Sequence, residues 1–154
     1  MKVEGVLEKL QDAIENRLLE LNELRNVPIL TYKQSDLQSV FRSDMKSGIG
    51  TAILLMPPVP NNVLEHVAGP VFSNVSIEVK IIENTATNKH GKSLLFLAEV
   101  VMRHLHMWHP NVVDASYRME LASGAHSCRA TRENDTNYFS ANFAIPCHLE
   151  ACKS

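Results

Sequence analysis

The stretch VSIEVKII, residues 75–82, decides the class of fold. Its side chains alternate in polarity, with apolar ones at Val75, Ile77, Val79 and Ile81 and polar ones at Ser76, Glu78 and Lys80. Successive side chains of a strand point to opposite faces of the sheet, so this period of two predicts a strand with one buried face. Strands of parallel sheets are buried on both faces and read as continuous apolar runs. The stretch therefore predicts a mainly antiparallel sheet that is covered on one side.

Helices that can cover the buried face of this strand are predicted before and after it. Apolar residues at three- and four-residue steps predict a long amphipathic helix over residues 3–24. A capping-box pattern predicts a short second helix from Ser35 to Met45, which ends at Gly48. A third helix is predicted from about Lys92 to Trp108, with its inward stripe at Leu94, Leu97, Ala98, Val101, Leu105 and Trp108.

Further strands are predicted at residues 27–32, 51–56, 114–121 and 138–145. The first is placed at an edge, because Pro28 gives up a backbone donor, and the second reads as a strand covered on both faces. The segment 57–70 reads as a long connection with several prolines, and RATRENDTN, residues 129–137, as a loop or a mobile hairpin tip. The sequence thus predicts a single α+β domain over residues 1–154. A mixed, mainly antiparallel sheet of four to five strands carries its helices mainly on one face.

Composition excludes several classes of protein. The chain has 154 residues, 45% hydrophobic and 21% charged, with a formal net charge of -2, as a soluble one-domain protein does. Lys and Arg are scattered, so no basic stripe indicates nucleic-acid binding. Cys128, Cys147 and Cys152 are an odd number, which argues against a secreted disulfide scaffold. No export signal and no apolar run of membrane-spanning length is recognised, so a cytoplasmic protein without membrane contact is expected.

The stretch ATNKHGKS, residues 86–93, matches the looser pattern of a phosphate-binding loop. In such a loop Lys92 would reach the terminal phosphates and Ser93 would bind magnesium. Three features of the surroundings argue against such a loop. The preceding strand alternates in polarity, and Ala86 replaces the first glycine. The only aspartate available to bind magnesium is Asp114, which lies in a short segment after Pro110. A small nucleotide-binding enzyme is therefore the last of the alternatives.

The sequence HLHMWH suggests a metal site at His104, His106 and His109. On a helix that advances about 100° per residue, at most two of these three side chains converge. The cysteines also lack a close pairing of the zinc-binding type. We therefore predict no catalytic residue, no metal site and no cofactor.

Five segments together resemble a known family. They are the opening amphipathic helix, ILLMPPVP (residues 53–60), GPVFSNVSIEVKIIENTATNKHGKS (69–93), LAEVVMRHLHMWHP (97–110) and NYFSANFAI (137–145). In pattern and spacing, over about residues 3–146, they resemble the tail terminator and tail-completion proteins of tailed bacteriophages. The resemblance implies a non-enzymatic virion protein that is assembled in the cytoplasm of a bacterial host.

What this family resemblance implies is a ring, usually of six subunits, on the head-proximal end of the tail tube. The ring stops tube polymerisation and joins the tail to the neck, so the expected partners are further copies of the chain, the tail tube protein and a neck or head-completion protein. DNA would pass through the lumen without sequence-specific contact. A head-to-tail adaptor or a minor tail protein is the alternative within the same class of particle.

The third helix is apolar beyond its inward stripe, which suits burial against another subunit or against loops of its own domain. The predicted subunit-interface residues are Leu95, Phe96, Val100 and Met102. The long polar connections are expected to contact the tube or the neck. The residues predicted for these contacts are Pro58, Asn61, Lys89, Lys92 and Arg132.

Overall fold

A computed structural model describes residues 5–31, 50–60, 71–112, 118–122 and 127–149. The predicted helix at 35–45 and residues 114–117 of a predicted strand lie outside these ranges. The helices are α1 (Val6–Leu19), a short 3₁₀ helix (Asn22–Leu24) and α2 (Leu94–Leu105). The strands are β1 (Ile29–Thr31), β2 (Thr51–Leu55), β3 (Val59–Pro60), β4 (Val71–Asn84), β5 (Glu120–Leu121), β6 (Cys128–Glu133) and β7 (Thr136–Leu149). Neither α1 nor α2 is long and apolar enough to cross a membrane.

The strands form one sheet in the order β1-β2-β4-β7-β5. β3 lies beside β4 on the edge shared with β2, and β6 lies beside β7 on the edge shared with β5. Among the pairs formed by the described strands only β1–β2 is parallel, and β1 lies at the end of the order. The predicted α+β class with a mixed, mainly antiparallel sheet is confirmed, although the described residues form seven strands where four to five were predicted.

The β4–β7 pair is the centre of the sheet, because each strand contributes fourteen residues that pair from Val71 with Leu149 to Asn84 with Thr136. The odd-numbered residues of β4 from Val75 to Ile81 are at most 2% exposed, as the alternation predicted. They share one core with the inner sides of both helices, at Leu10, Ile14, Leu18, Leu97, Val101 and Leu105. The opposite face of β4 carries half-buried polar side chains, including a Glu78–Lys80 ion pair with 3.7 Å between Oε1 and Nζ.

Several predicted boundaries were wrong. The first helix was predicted to reach residue 24, but α1 ends at Leu19 because Leu21 has an extended backbone, and only a short 3₁₀ helix follows. Residues 59–60, in a segment predicted as a connection, form β3.

β7 continues past Ile145 to Leu149 and includes Pro146, which has no backbone N–H to donate. The amide of Asn142 donates to Ser127 O, so it points away from β4. Backbone groups alternate in direction along a strand, so the nitrogen of Pro146 also points away from β4. The missing N–H of Pro146 therefore costs the β4–β7 pair no hydrogen bond. α2 ends at Leu105 and does not reach Trp108, because Met107 has a left-handed backbone with φ of 64°.

Residues 129–137 were predicted to be a loop or a mobile hairpin tip; the loop interpretation is wrong, and the segment is part of a hairpin. Residues up to Glu133 form β6, which pairs with β7 through a tight turn at Asn134 and Asp135. Asn134 adopts φ of 55°, which asparagine tolerates better than most residues. After Cys128 every side chain of β6 is exposed, so the strand lacks the buried apolar alternation by which strands are recognised. The segment is thus a solvent-exposed strand at the side of the sheet.

Candidate interaction surface

The connection from β4 to α2 is stabilised by hydrogen bonds from its own side chains. Asn84 Oδ1 accepts from Ala86 N at 3.0 Å, and Asn88 Oδ1 accepts from Gly91 N at 3.0 Å. Asn88 Nδ2 donates to Glu83 Oε2 at 2.6 Å and to Lys92 O at 3.1 Å. Side-chain oxygens therefore satisfy amides that a phosphate-binding loop would direct at its ligand. β4 is also antiparallel to the strands beside it, unlike the strand that precedes a phosphate-binding loop.

Lys92 and Ser93 both have structural partners within the chain. Lys92 Nζ donates to Glu23 O at 2.7 Å and lies 5.2 Å from the centroid of the Phe96 ring. Ser93 precedes α2 and its Oγ accepts from Phe96 N at 3.3 Å, which is the geometry of a helix N-cap. These contacts attach the start of α2 to the 3₁₀ helix and support a structural interpretation of the phosphate-loop pattern.

Glu23 contacts three residues of α2 and of the segment just before it. Its Oε1 lies 3.6 Å from Arg103 Nη2 and 3.6 Å from His104 Nε2, in addition to the Lys92 contact with its carbonyl. A hydrogen bond from its own backbone amide, assisted by His104 and Arg103 and opposed by desolvation, lowers the pKa of Glu23 below its ordinary value of 4.5. No pattern in the sequence indicated this cluster.

The three histidines of HLHMWH have separate partners. His106 Nδ1 accepts from Leu121 N at 3.0 Å, and His109 Nδ1 accepts from Asn111 N at 3.1 Å, while His104 faces Glu23. Across the described ranges no group of three or more His, Cys, Asp or Glu side chains could hold a metal ion. His106 and His109 thus bond to the segments that follow α2, and His104 contacts the 3₁₀ helix that precedes it.

The cysteines take up different positions. Cys128 is half-buried, and its Sγ lies 3.7 Å from Met102 Sδ, so β6 touches the side of α2 at this point. Cys147 is fully buried in the core, as a small apolar residue is. Cys152 lies outside the described residues.

The four residues predicted for a subunit interface do not share one environment. Leu95 is 69% exposed and Phe96 is 41% exposed, side by side on the first turn of α2. Met102 is half-buried against the core and Cys128. The inclusion of Val100 is corrected: its side chain is 1% exposed and belongs to the core, so it is not available to another subunit. A surface patch therefore consists of Leu95 and Phe96.

Beside this patch lies an open groove of about 470 Å³ between the first turn of α2 and β6. Leu94 and Leu95 line its helix side, and Ala130, Thr131 and Arg132 line its strand side. Its floor is formed by β7. The groove was not predicted, because its strand side belongs to the segment that the sequence pattern assigned to a loop.

The residues predicted for tube or neck contacts fall in two separate regions of the sheet, one beyond the Asn84 end of β4 and one beside the middle of β4. Lys89 follows the end of β4, and Arg132 lies next to the turn that Thr85 joins by a hydrogen bond to Asp135 O at 3.0 Å. Pro58 precedes β3, which pairs with the earlier part of β4 at Ser76. Lys89, Lys92 and Arg132 are exposed and Pro58 is half-buried. Asn61 lies outside the described residues.

Comparison with known proteins gives a likeness in fold. No protein-family model and no curated protein matches the chain. A chain of the solved structure "Virion of native gene transfer agent (GTA) particle" matches with a TM-score of 0.57 and 13% sequence identity, over 90% of this chain and 93% of that chain. At this identity the match shows only that the fold, over nine-tenths of this chain, is similar to that of a chain from a virion particle.

Proposed function

We propose that this protein is a structural component of a tailed-phage-like virion. It forms a ring at the head-proximal end of the tail tube, ends tube polymerisation and joins the tail to the neck. The observation that carries the proposal is the likeness in fold to a chain of a gene transfer agent virion, which covers nine-tenths or more of both chains. The order of helices and strands, which resembles that of tail terminators, supports it independently.

Self-association is the first requirement of a ring. Ring contacts are heterologous, so each subunit needs two different complementary patches. Leu95 and Phe96 supply an exposed apolar patch with a groove beside it. Their exposure supports a role in binding, because large apolar side chains that are adjacent and uncovered mark interaction sites more often than isolated ones do. We propose a homohexamer, as the family resemblance implies.

A joint must also bind one partner at each end. The proposed contact residues lie in two separate regions, because Lys89, Lys92 and Arg132 lie beyond the Asn84 end of β4 and Pro58 lies beside its middle. Ser76, which pairs with the residue after Pro58, is separated from Asn84 by roughly 27 Å of extended strand. We propose that one of these regions faces the tail tube and the other the neck, and that Asn61, three positions after Pro58 in the sequence, contacts the same partner as Pro58.

The remaining parts of the proposal follow from the same role. Lys92 and Ser93 hold α2 in place, which supports a non-enzymatic protein without a nucleotide cofactor. DNA passes through the ring without sequence-specific contact; the scattered Lys and Arg of the chain form no basic stripe that would bind it. The protein resides in the virion after assembly in the host cytoplasm.

Deletion of the gene in the strain that produces the particle tests the role directly. Electron microscopy of the lysate should show unattached tails of uncontrolled length, and a plasmid copy of the wild-type gene should restore normal particles. Tails of normal length that lack heads would instead identify an adaptor. Intact particles with normal tails from the deletion strain would refute a virion role of this kind.

A further inference from the structure

Two buried oxygen atoms of α1 lack a hydrogen-bond partner among the described residues. They are Glu8 Oε2 and Gln11 Oε1. The Gln11 side chain is 2% exposed, so bulk water does not solvate its amide. A buried polar atom without a partner is costly, and such atoms in folded proteins contact a bound water or an ion when the protein itself offers no donor.

Glu8 and Gln11 are neighbours on the surface of the helix. Residues three positions apart on a helix have Cβ atoms about 5–6 Å from each other. A helical side chain also leans toward the helix N-terminus, so the Gln11 amide extends over the turn that carries Glu8. The two unpaired oxygens therefore lie on the same side of α1, within one turn of each other.

A third oxygen, the carbonyl of Met56, lies beside the Gln11 amide. Gln11 Nε2 is 3.5 Å from Met56 O, which is longer than the usual N–H···O distance of about 2.7–3.2 Å. Half a turn about the last side-chain bond exchanges Nε2 and Oε1 and would bring two carbonyl oxygens to about this separation. Two oxygens at right angles around a Ca²⁺ ion are roughly 3.3–3.7 Å apart, since its bonds to oxygen are about 2.3–2.6 Å long.

The charges on this side of α1 favour a cation. Glu8, Asp12 and Glu15 recur at steps of four and three residues, so they lie on one side of the helix, and Gln11 borders them. The negative potential of three neighbouring carboxylates attracts a positive ion to their side of the helix. Oxygen atoms without nitrogen or sulfur ligands suit a hard cation and not zinc or copper.

We propose that Glu8, Gln11 and the carbonyl of Met56 bind a hard divalent cation, with Ca²⁺ as the preferred ion. The carboxylate, the turned amide and the carbonyl supply three of the about six to eight oxygens that Ca²⁺ takes, and water supplies the rest. With a single carboxylate the site is weak, with a Kd of about 1 mM. Mg²⁺ loses its water reluctantly and prefers carboxylates, so it binds less well.

The bound ion joins α1 to the end of β2. Met56 directly follows β2, and its amide donates to Glu78 O at 3.0 Å, so the position of Met56 is fixed by β4. A cation that holds Gln11 to Met56 O therefore stabilises the packing of α1 on the sheet. The site contains no histidine or cysteine and one carboxylate, so it does not depend on the proposed ring and no metal-binding pattern in the sequence indicates it.

Thermal unfolding of the full chain, followed by circular dichroism in EDTA, CaCl₂ or MgCl₂, tests the site. At about 10 mM, ten times the expected Kd, Ca²⁺ should raise the midpoint by roughly 3–6 °C relative to EDTA. Mg²⁺ should give a smaller rise. NaCl at the same ionic strength is the control for screening of charges. In a ¹H–¹⁵N spectrum, Ca²⁺ should also shift the side-chain amide signals of Gln11.

Two substitutions remove one ligand each. Glu8→Gln removes the charge and keeps the shape, and Gln11→Met removes the amide oxygen from a side chain of similar length. Each variant is compared with itself in EDTA, so a change in its own stability does not affect the result. Both should lose the rise caused by Ca²⁺, and the Gln11 signals should not move in Glu8→Gln. Glu99→Gln, at an exposed position of α2, is the matched control and should keep the full rise.

Three results would overturn the inference. The first is a wild-type midpoint that is the same in Ca²⁺ and in EDTA, as expected if a buried water satisfies the two oxygens. The second is an equal rise in NaCl. The third is a rise that persists undiminished in Glu8→Gln, which would place any bound ion elsewhere. None of these results bears on the proposed function, which the deletion strain tests separately.

Discussion

Replacement of Gly50 by alanine tests how the start of β2 is joined to the turn that leads into α2. Gly50 has φ of 63°, in the left-handed region that favours glycine. A Cβ at this position would lie 2.5 Å from Asn88 N and 2.6 Å from Asn88 Cα. Both are backbone atoms, and the hydrogen bonds of the Asn88 side chain to Glu83 and Lys92 fix the turn around them. A shift of the backbone at either Gly50 or Asn88 would therefore cost free energy.

The expected cost has two parts. The left-handed conformation costs an L-residue about 1–2 kcal/mol, and the forced shift of a packed neighbour adds about 1–3 kcal/mol. Gly50→Ala should therefore lower the free energy of unfolding by about 2–5 kcal/mol. For a chain of this length the midpoint of thermal unfolding should fall by roughly 4–20 °C.

Urea unfolding followed by circular dichroism measures this effect, with an unchanged m-value as the check that the folded state is still compact. Gly5→Ala is the matched control, because Gly5 has φ of -78° and no atom lies within 4 Å of the added methyl group. Gly5 lies at the N-cap of α1, where alanine costs at most about 1 kcal/mol. If Gly50→Ala proves no more destabilising than Gly5→Ala, the described approach of the turn to β2 is wrong.

Three further predictions concern the core, the start of α2 and its attachment. Phe143→Ala, at a fully buried site, should cost about 3–5 kcal/mol in urea unfolding, and a loss below 1 kcal/mol would contradict its place in the core. Ser93→Ala should cost about 1 kcal/mol and Ser93→Asp much less, since aspartate also caps a helix. The lowered pKa of Glu23 means that its contribution to stability is present above pH 4.5 and is lost as the pH falls through the lower folded pKa. Unfolding free energies measured on both sides of pH 4.5 should therefore depend less on pH in Glu23→Gln than in the wild type.

The sequence predicted those helices and strands in which one buried face gives the apolar residues a regular spacing. β4 and α2 were recognised because one face of each is buried, and alternation or helical spacing follows directly from that. β6 was missed because its side chains after Cys128 are exposed on both faces, so packing imposes no alternation on them. The two residues Asn134 and Asp135 were the available signal, since asparagine and aspartate are favoured in tight hairpin turns.

The candidate surface was only partly predictable, because it depends on contacts between distant parts of the chain. Helical spacing places Leu95, Phe96 and Val100 off the inward stripe, but it cannot indicate that Val100 is buried in the core while the other two are exposed. Lys92 reaches the carbonyl of Glu23 across 69 positions in sequence. The groove likewise needs α2 and β6 to be neighbours, which only the sheet order establishes.

The paired strands β4 and β7 also determine how the protein bears a mechanical load. They are joined along all fourteen residues and extend for roughly 44 Å. Their hydrogen bonds lie across the strand direction, so a pull that draws β4 and β7 in opposite directions along their length loads these bonds together in shear and does not unzip them one after another. Such a pull has to break many of these bonds at once, so the paired strands resist it more strongly than a pull that peels one strand from the other.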